Sequence, residues 1–142
     1  MDIDQYLSHK QAALDKGAER IRNFEVFDFN YVPEKPLMRE EVKPVIDALL
    51  RYQQTGIANN VLVLGSRGSG KSMLARYLMR VLSSQGQAVF AYANCRQHNT
   101  SVKILASLLG LRPRGSSLDE LWQRFENAHE GRVVFVLDEV DL

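Results

Sequence analysis

A short apolar run at residues 61–64 leads straight into Gly65-Ser66-Arg67-Gly68-Ser69-Gly70-Lys71-Ser72, and an amphipathic stretch follows at once. That order leaves little freedom of fold. The eight residues match G-x-x-x-x-G-K-[ST] at every fixed position, a loop that works where a buried strand hands the chain to a helix. Its glycines let the backbone curl, so that successive N–H groups point at phosphate oxygens with no Cβ atoms in the way. The helix behind presents its positive end to the same anion. Lys71 is placed to reach the β- and γ-phosphates, and the Ser72 hydroxyl to ligate Mg²⁺. Ser66 and Arg67 are spacers that contribute backbone, with Ser69 in the same cradle. With average residue usage such a match arises by chance in roughly half a per cent of chains this long. The strand before it and the helix after it lower that figure further. A nucleoside triphosphate, ATP with Mg²⁺, is the expected ligand.

A second element lies further along, at Val133-Val134-Phe135-Val136-Leu137-Asp138-Glu139. It reads as a buried strand ending in two acids. Asp138 is expected to hold the Mg²⁺ shell through water, and Glu139 to polarise the water that attacks the γ-phosphate. Taken alone, an acidic turn at a strand end is commonplace; its position after the phosphate loop is what gives it a function.

The pattern between and around these motifs alternates strand and helix. Residues 61–64, 88–93 and 133–137 read as strands covered on both faces. Helices are expected at about 39–52, 71–82 and 101–109, and from Ser117 onward. Pro44 is tolerable only in the first turn of its helix. Ser117 with Glu120 forms a capping box. Leu74, Leu78, Val81 and Leu82 should face inward on one helix, and Leu118, Leu121, Trp122 and Phe125 on another. Such alternation means an α/β fold with a parallel sheet. Ahead of it, residues 4–22 suggest a helical docking arm with a stripe of Leu7, Leu14, Ala18 and Ile21. Residues 24–37 read as extended chain, with aromatics at Phe24, Phe27, Phe29 and Tyr31 before Pro33 and Pro36.

Composition mainly excludes. Across 142 residues, 18 basic side chains stand against 17 acidic ones, so there is no global basic field for nucleic acid. One cysteine, Cys95, rules out an internal disulfide framework and fits a reducing compartment. No apolar run approaches the roughly 20 residues of a membrane span, and the acidic start lacks the order of a secretory signal. A cytoplasmic protein without membrane contacts is expected. His9, His98 and His129 are scattered, as surface or capping residues are, and Cys95 reads as a small packed residue rather than a nucleophile. Asn94, at the end of the second strand, lies on the sheet edge where open α/β sheets bind ligands. Two readings stay open for it: holding the catalytic glutamate inactive until a partner binds, or capping the loop.

With both motifs placed, Tyr31-Val32-Pro33-Glu34-Lys35-Pro36-Leu37-Met38-Arg39-Glu40 resembles the segment ahead of the phosphate loop in AAA+ replication initiators of the origin-recognition and licensing class. Asn94-Cys95-Arg96 and Leu137-Asp138-Glu139-Val140-Asp141 look like that family too. The resemblance implies a three-layer α/β/α P-loop ATPase domain over residues 31–142, behind an arm at 1–30. It makes Val32, Pro33 and Arg39 candidate base and ribose contacts. It also places residues 101–109 where initiators carry a helix that touches DNA, here with Lys103, and with Arg112 and Arg114 following. Packing on the sheet is the equal alternative.

In that family the strand between the P-loop strand and the acidic strand comes later in sequence, as do the lid, both sensors, the arginine finger and the winged helix. The domain is therefore expected to be incomplete, the front part of a longer protein, with weak nucleotide binding and negligible turnover by itself. Residues 61–64 and 133–137 should then either face a gap or pair directly. The implied partners are ATP or ADP, duplex DNA through regions mostly outside this stretch, and other AAA+ subunits or replication proteins. Rival readings are another AAA+ ATPase, such as a transposition helper or helicase loader, and a nucleotide-binding regulatory module without hydrolysis.

Overall fold

The structure, a computed structural model, describes residues 2–18, 23–28, 30–86 and 88–140. The chain divides into two compact units, Met1–Lys35 and Pro36–Leu142. In the first, helix α1 spans Ile3–Ala18. Its start is fixed by a reciprocal cap: the Gln5 N–H donates to Asp2 Oδ1 at 2.7 Å, and the Asp2 N–H to Gln5 Oε1 at 3.3 Å. Of the stripe expected to dock this helix, Leu7 is exposed; Ile21, and the side chains of Leu14 and Ala18, lie outside what is described, as do residues 19–22.

The extended reading of residues 24–37 is corrected at its start. Phe24–Phe27 is a single 3₁₀ turn. Local side chains outcompete the apolar alternation there: Asn23 Oδ1 accepts from the Glu25 N–H at 2.9 Å, and Asp28 Oδ1 from the Asn30 N–H at 2.7 Å. Each mimics a backbone turn, which is why Asn and Asp break strands. Phe29 lies outside the described residues. Past Tyr31 the chain is irregular up to Arg39.

The second unit opens with a 3₁₀ turn, Glu40–Val42, that runs into α2, Lys43–Thr55. Pro44 falls in the first turn of α2, where its missing N–H would have had no partner. Near the other end of α2, the Tyr52 hydroxyl accepts from the Val133 N–H at 3.2 Å and ties the helix to the start of strand β2, Val133–Asp138. The neighbouring Gln53 is 2% exposed, and neither its Nε2 nor its Oε1 has a hydrogen-bond partner among the described residues. A buried polar atom left unpaired costs about 1–3 kcal/mol. Gln53→Met should therefore raise the melting temperature, by about 5 °C for a gain of about 1 kcal/mol. A lower melting temperature in differential scanning calorimetry would show that the amide is satisfied.

Helix α3, Lys71–Ser83, follows the glycine-rich loop and buries Leu78 and Leu82, with Leu74 and Val81 half-covered. Strand β1, Val89–Asn94, pairs in parallel with β2, from Val89 opposite Val133 to Asn94 opposite Asp138. Parallel neighbours need a long crossover. Here it is supplied by α4, Ser101–Leu108, and α5, Leu118–Ala128. Ser117 and Glu120 form the expected capping box at the start of α5. The core lies where this crossover meets the sheet: Ala91 from β1, Leu105 and Ala106 from α4, and Leu121 and Phe125 from α5.

Three expectations of burial are corrected. Residues 61–64 form no strand, and Leu62 and Leu64 are 68% and 71% exposed. A strand exists by pairing its N–H and C=O groups with a neighbour. Among the described residues β1 and β2 pair with each other and nothing pairs with 61–64. Of the two outcomes expected for 61–64 and 133–137, direct pairing is thus excluded. β2 likewise pairs along one edge only among the described residues, and Phe135 and Leu137 are exposed although Phe135 packs on Phe125. On α5, Leu121 and Phe125 are buried whereas Leu118 and Trp122 are over 40% exposed. The apolar stripe is wider than the surface available to cover it. No helix among the described residues is long and apolar enough to cross a membrane.

Candidate nucleotide site

The loop at residues 65–70 is built by its own backbone. The Ser69 N–H donates to the Ser66 carbonyl at 3.2 Å, and Gly68 and Gly70 take φ of 78° and 91°. Any other residue type would be strained there. Gly70 is the N-cap of α3 and offers no side-chain cap, so the first-turn N–H groups of that helix face the loop without a competing oxygen. Lys71 folds back over the loop: its Nζ donates to the Gly65 carbonyl at 2.8 Å, to the Ser66 carbonyl at 2.7 Å and to Ser69 Oγ at 3.3 Å. A positive charge and a helix N-terminus therefore lie together at the loop, the electrostatics of an anion site.

Arg39, read in sequence as a base or ribose contact, donates from Nη1 to the Ser69 carbonyl at 3.1 Å. It thus touches the loop's backbone, a contact that no spacing in the sequence announces. Val32 and Pro33 are half-buried and belong to the first unit.

The acidic strand end meets the other side of this site. Asp138 accepts from the Tyr92 hydroxyl at 2.8 Å through Oδ2, and from the Glu139 N–H at 2.9 Å through Oδ1. Partial burial pushes its carboxyl up, but hydrogen bonds from Ser72, Tyr92 and the Glu139 N–H, with the charge of Arg76, outweigh burial and hold it below the usual carboxylate range. Asp138 is therefore a carboxylate at neutral pH, bonded to the Ser72 side chain. The same contacts act in reverse on their partners. Burial, then donation to Asp138, pushes the Tyr92 phenol up. Burial, then the charge of Asp138, pushes the Cys95 thiol up, which leaves it protonated and a poor nucleophile.

Glu139 follows in the left-handed region at φ 53°, unusual for a residue with a side chain. Its Oε2 accepts from Asn94 Nδ2 at 3.1 Å. Asn94 Oδ1 in turn accepts from the N–H groups of Arg96 at 3.0 Å and Gln97 at 3.2 Å. Asn94 thus caps the turn and also contacts Glu139. Capping the turn fixes the carbonyl oxygen, and the fixed amide then aims its N–H at the glutamate.

Magnesium suits this donor set. A hydroxyl and a carboxylate, bonded to each other, are hard oxygen ligands, and Mg²⁺ takes only one or two protein oxygens beside phosphate and water. Among the described residues no three His, Cys, Asp or Glu side chains gather as a metal site, and none is needed for an ion held in this way.

Other sequence candidates resolve as structure. His129 Nδ1 lies 3.0 Å from the Phe125 carbonyl, and its ring stacks on Phe125 at 4.2 Å. Trp122 stacks on Phe125 and Phe135 at 6.1 and 6.2 Å from its half-exposed position. Helix α4 packs through Val102, Leu105 and Ala106. Its exposed Lys103 donates to Asn99 Oδ1 at 2.9 Å.

Comparison with known proteins finds relatives of this chain. The model of the AAA ATPase domain family matches residues 35–130. The chain is 32% identical over 139 residues to the ORC1-type DNA replication protein of Desulfurococcus amylolyticus, covering 87% of this chain and 35% of that protein. It is 32% identical over 131 residues to ORC1-type DNA replication protein 1 of Sulfurisphaera tokodaii, covering 84% and 33%. Among solved structures, the Aeropyrum pernix ORC1 protein in complex with DNA matches with a TM-score of 0.66 at 26% identity, over 81% of this chain and 34% of that one. The chain thus spans about a third of the length of the relatives it matches.

Proposed function

We propose, from the premise that the chain belongs to the AAA ATPase domain family, that it is the ATP-binding portion of a DNA-replication initiator. ATP with Mg²⁺ would act as a switch for assembly on duplex origin DNA, with slow hydrolysis resetting it. The observation that carries the reading is the meeting of Ser72, from the end of the phosphate loop, with Asp138, from the end of β2. Two segments far apart in sequence supply one Mg²⁺–phosphate site, beside a lysine and a helix N-terminus.

In this reading the loop amides of residues 65–70 and the Lys71 ammonium neutralise phosphate oxygens. Ser72 and Asp138 would hold the Mg²⁺, which would offset the charge of the phosphate oxygens. Glu139 orients the attacking water and takes its proton. Arg39 braces the loop at Ser69 and is the ribose candidate of the same proposal. The protein works in the cytoplasm, on chromatin or the nucleoid, with other AAA+ subunits or replication proteins as partners. The ORC1-type relatives favour an initiator over a transposition helper.

The Asn94–Glu139 hydrogen bond supports the switch. While the amide holds Oε2, the glutamate is less available to water; a partner that turns Asn94 releases it. In the complete protein, Asn94→Ala should raise basal turnover by about tenfold, the worth of one hydrogen bond to a charged group, with ATP affinity unchanged. Unchanged turnover in a phosphate-release assay would remove the switch. Footprinting of origin DNA with and without ATP tests the assembly step: protection that ignores ATP would defeat it.

A further inference from the structure

We infer that Tyr92 is a positioning residue for Asp138, setting the carboxylate's orientation toward the Mg²⁺ that accompanies ATP; this rests on the nucleotide reading above. Tyr92 stands opposite Val136 in the parallel register. Residues two apart on a strand share a face, so the tyrosine reaches diagonally along β2 to the side chain two places on. Its hydroxyl donates to Asp138 Oδ2 at 2.8 Å while the Glu139 N–H takes Oδ1 at 2.9 Å. One donor on each oxygen fixes the plane of the carboxylate. Each oxygen keeps a further acceptor site for Ser72 or for a water on the metal.

The tyrosine is itself held. The Arg76 guanidinium lies 5.9 Å from the centroid of its ring, and Arg76 is one helical turn beyond Ser72 on α3, on the same face. One turn of α3 thus presents both the Mg²⁺ hydroxyl and the cation that steadies the tyrosine on the opposite strand. The Arg76 guanidinium also donates to the Tyr92 hydroxyl, so the hydroxyl is held by that cation while it donates to Asp138.

Tyr92→Phe removes that hydroxyl and keeps the ring. The test is ATP affinity of the full chain, by isothermal titration with excess Mg²⁺ and again in EDTA, for the wild type, Tyr92→Phe, Asp138→Ala and the double variant. In EDTA the wild type and Tyr92→Phe should agree. With Mg²⁺, Tyr92→Phe should bind about fivefold more weakly, short of the full worth of a charged hydrogen bond because water replaces the donor in part. In the Asp138→Ala background the same change should have no effect. An equal loss in EDTA and in Mg²⁺ would make Tyr92 a packing residue only and overturn the assignment, as would an unchanged Mg²⁺ response or an effect that persists without Asp138. A wild-type chain that takes up no nucleotide would fail one step earlier, at the nucleotide reading, and take this inference with it.

Discussion

Lys71→Ala should abolish measurable uptake of Mg-ATP by the chain. The ammonium folds over the loop, where it donates to the carbonyls of Gly65 and Ser66. Toward a triphosphate it would make at least two charge-assisted hydrogen bonds, each worth about 1.5–3 kcal/mol. Losing about 3 kcal/mol or more weakens binding by over a hundredfold. The substitution also releases three contacts that fold the loop back on itself, so its effect joins lost charge to lost order. A nucleotide series separates the two. Lost charge should weaken ATP and ADP, whose β-phosphate the lysine reaches, and leave AMP nearly untouched; lost order alone would weaken all three alike. Titration calorimetry with Mg²⁺ reads each affinity. Undiminished ATP uptake by Lys71→Ala would remove the site itself, and with it every role assigned to Ser72, Asp138 and Glu139.

What could be read from the sequence was the part whose physics is local. The phosphate loop is written in glycine spacing and in the lysine that opens α3. The cap of α5 is written in Ser117 and Glu120, whose reciprocal hydrogen bonds span 3.2 and 3.3 Å. The start of α3 followed from the same kind of signal, whereas α2, expected at about 39–52, runs Lys43–Thr55 behind a 3₁₀ turn, which puts Pro44 in its first turn. Burial was less legible because it depends on what lies alongside. The run at 61–64 has the composition of an interior strand, yet composition names no neighbour, and without a ladder the segment stays exposed. Trp122 shows the same limit on a helix: its spacing puts it beside Phe125, but the core ends at Phe125. In the site, Asp138 and Glu139 were visible as strand-end acids. The tie from Tyr92 to Asp138 was not, because it depends on the register between two strands. A tyrosine two places before the polar end of an otherwise apolar strand was the only hint.

Leu121→Ala should come close to unfolding the second unit. Leu121 is fully buried, at 0% exposure, in a core whose other buried members are Ala91, Leu105, Ala106 and Phe125. Leucine-to-alanine changes at such sites cost about 2–5 kcal/mol, the larger values where the site cannot collapse. Two of the four neighbours are alanines with no side chain to move into the hole, so the upper part of that range applies. Total stability of a domain is only about 5–15 kcal/mol. A fall of about 15 °C or more in melting temperature is expected. Leu118→Ala, one turn earlier on the same helix, removes the same atoms from a position 43% exposed and should cost about 1 kcal/mol or less. The contrast matters for function because α5 delivers the chain to β2, and β2 carries Asp138 and Glu139. If nucleotide binds only the folded unit, Mg-ATP at about a hundred times its dissociation constant should restore about 2.7 kcal/mol to Leu121→Ala, visible as a rise in its melting temperature. Equal losses from Leu118→Ala and Leu121→Ala would place the core elsewhere. A melting temperature of Leu121→Ala that ignores Mg-ATP would break the link between this core and the phosphate site.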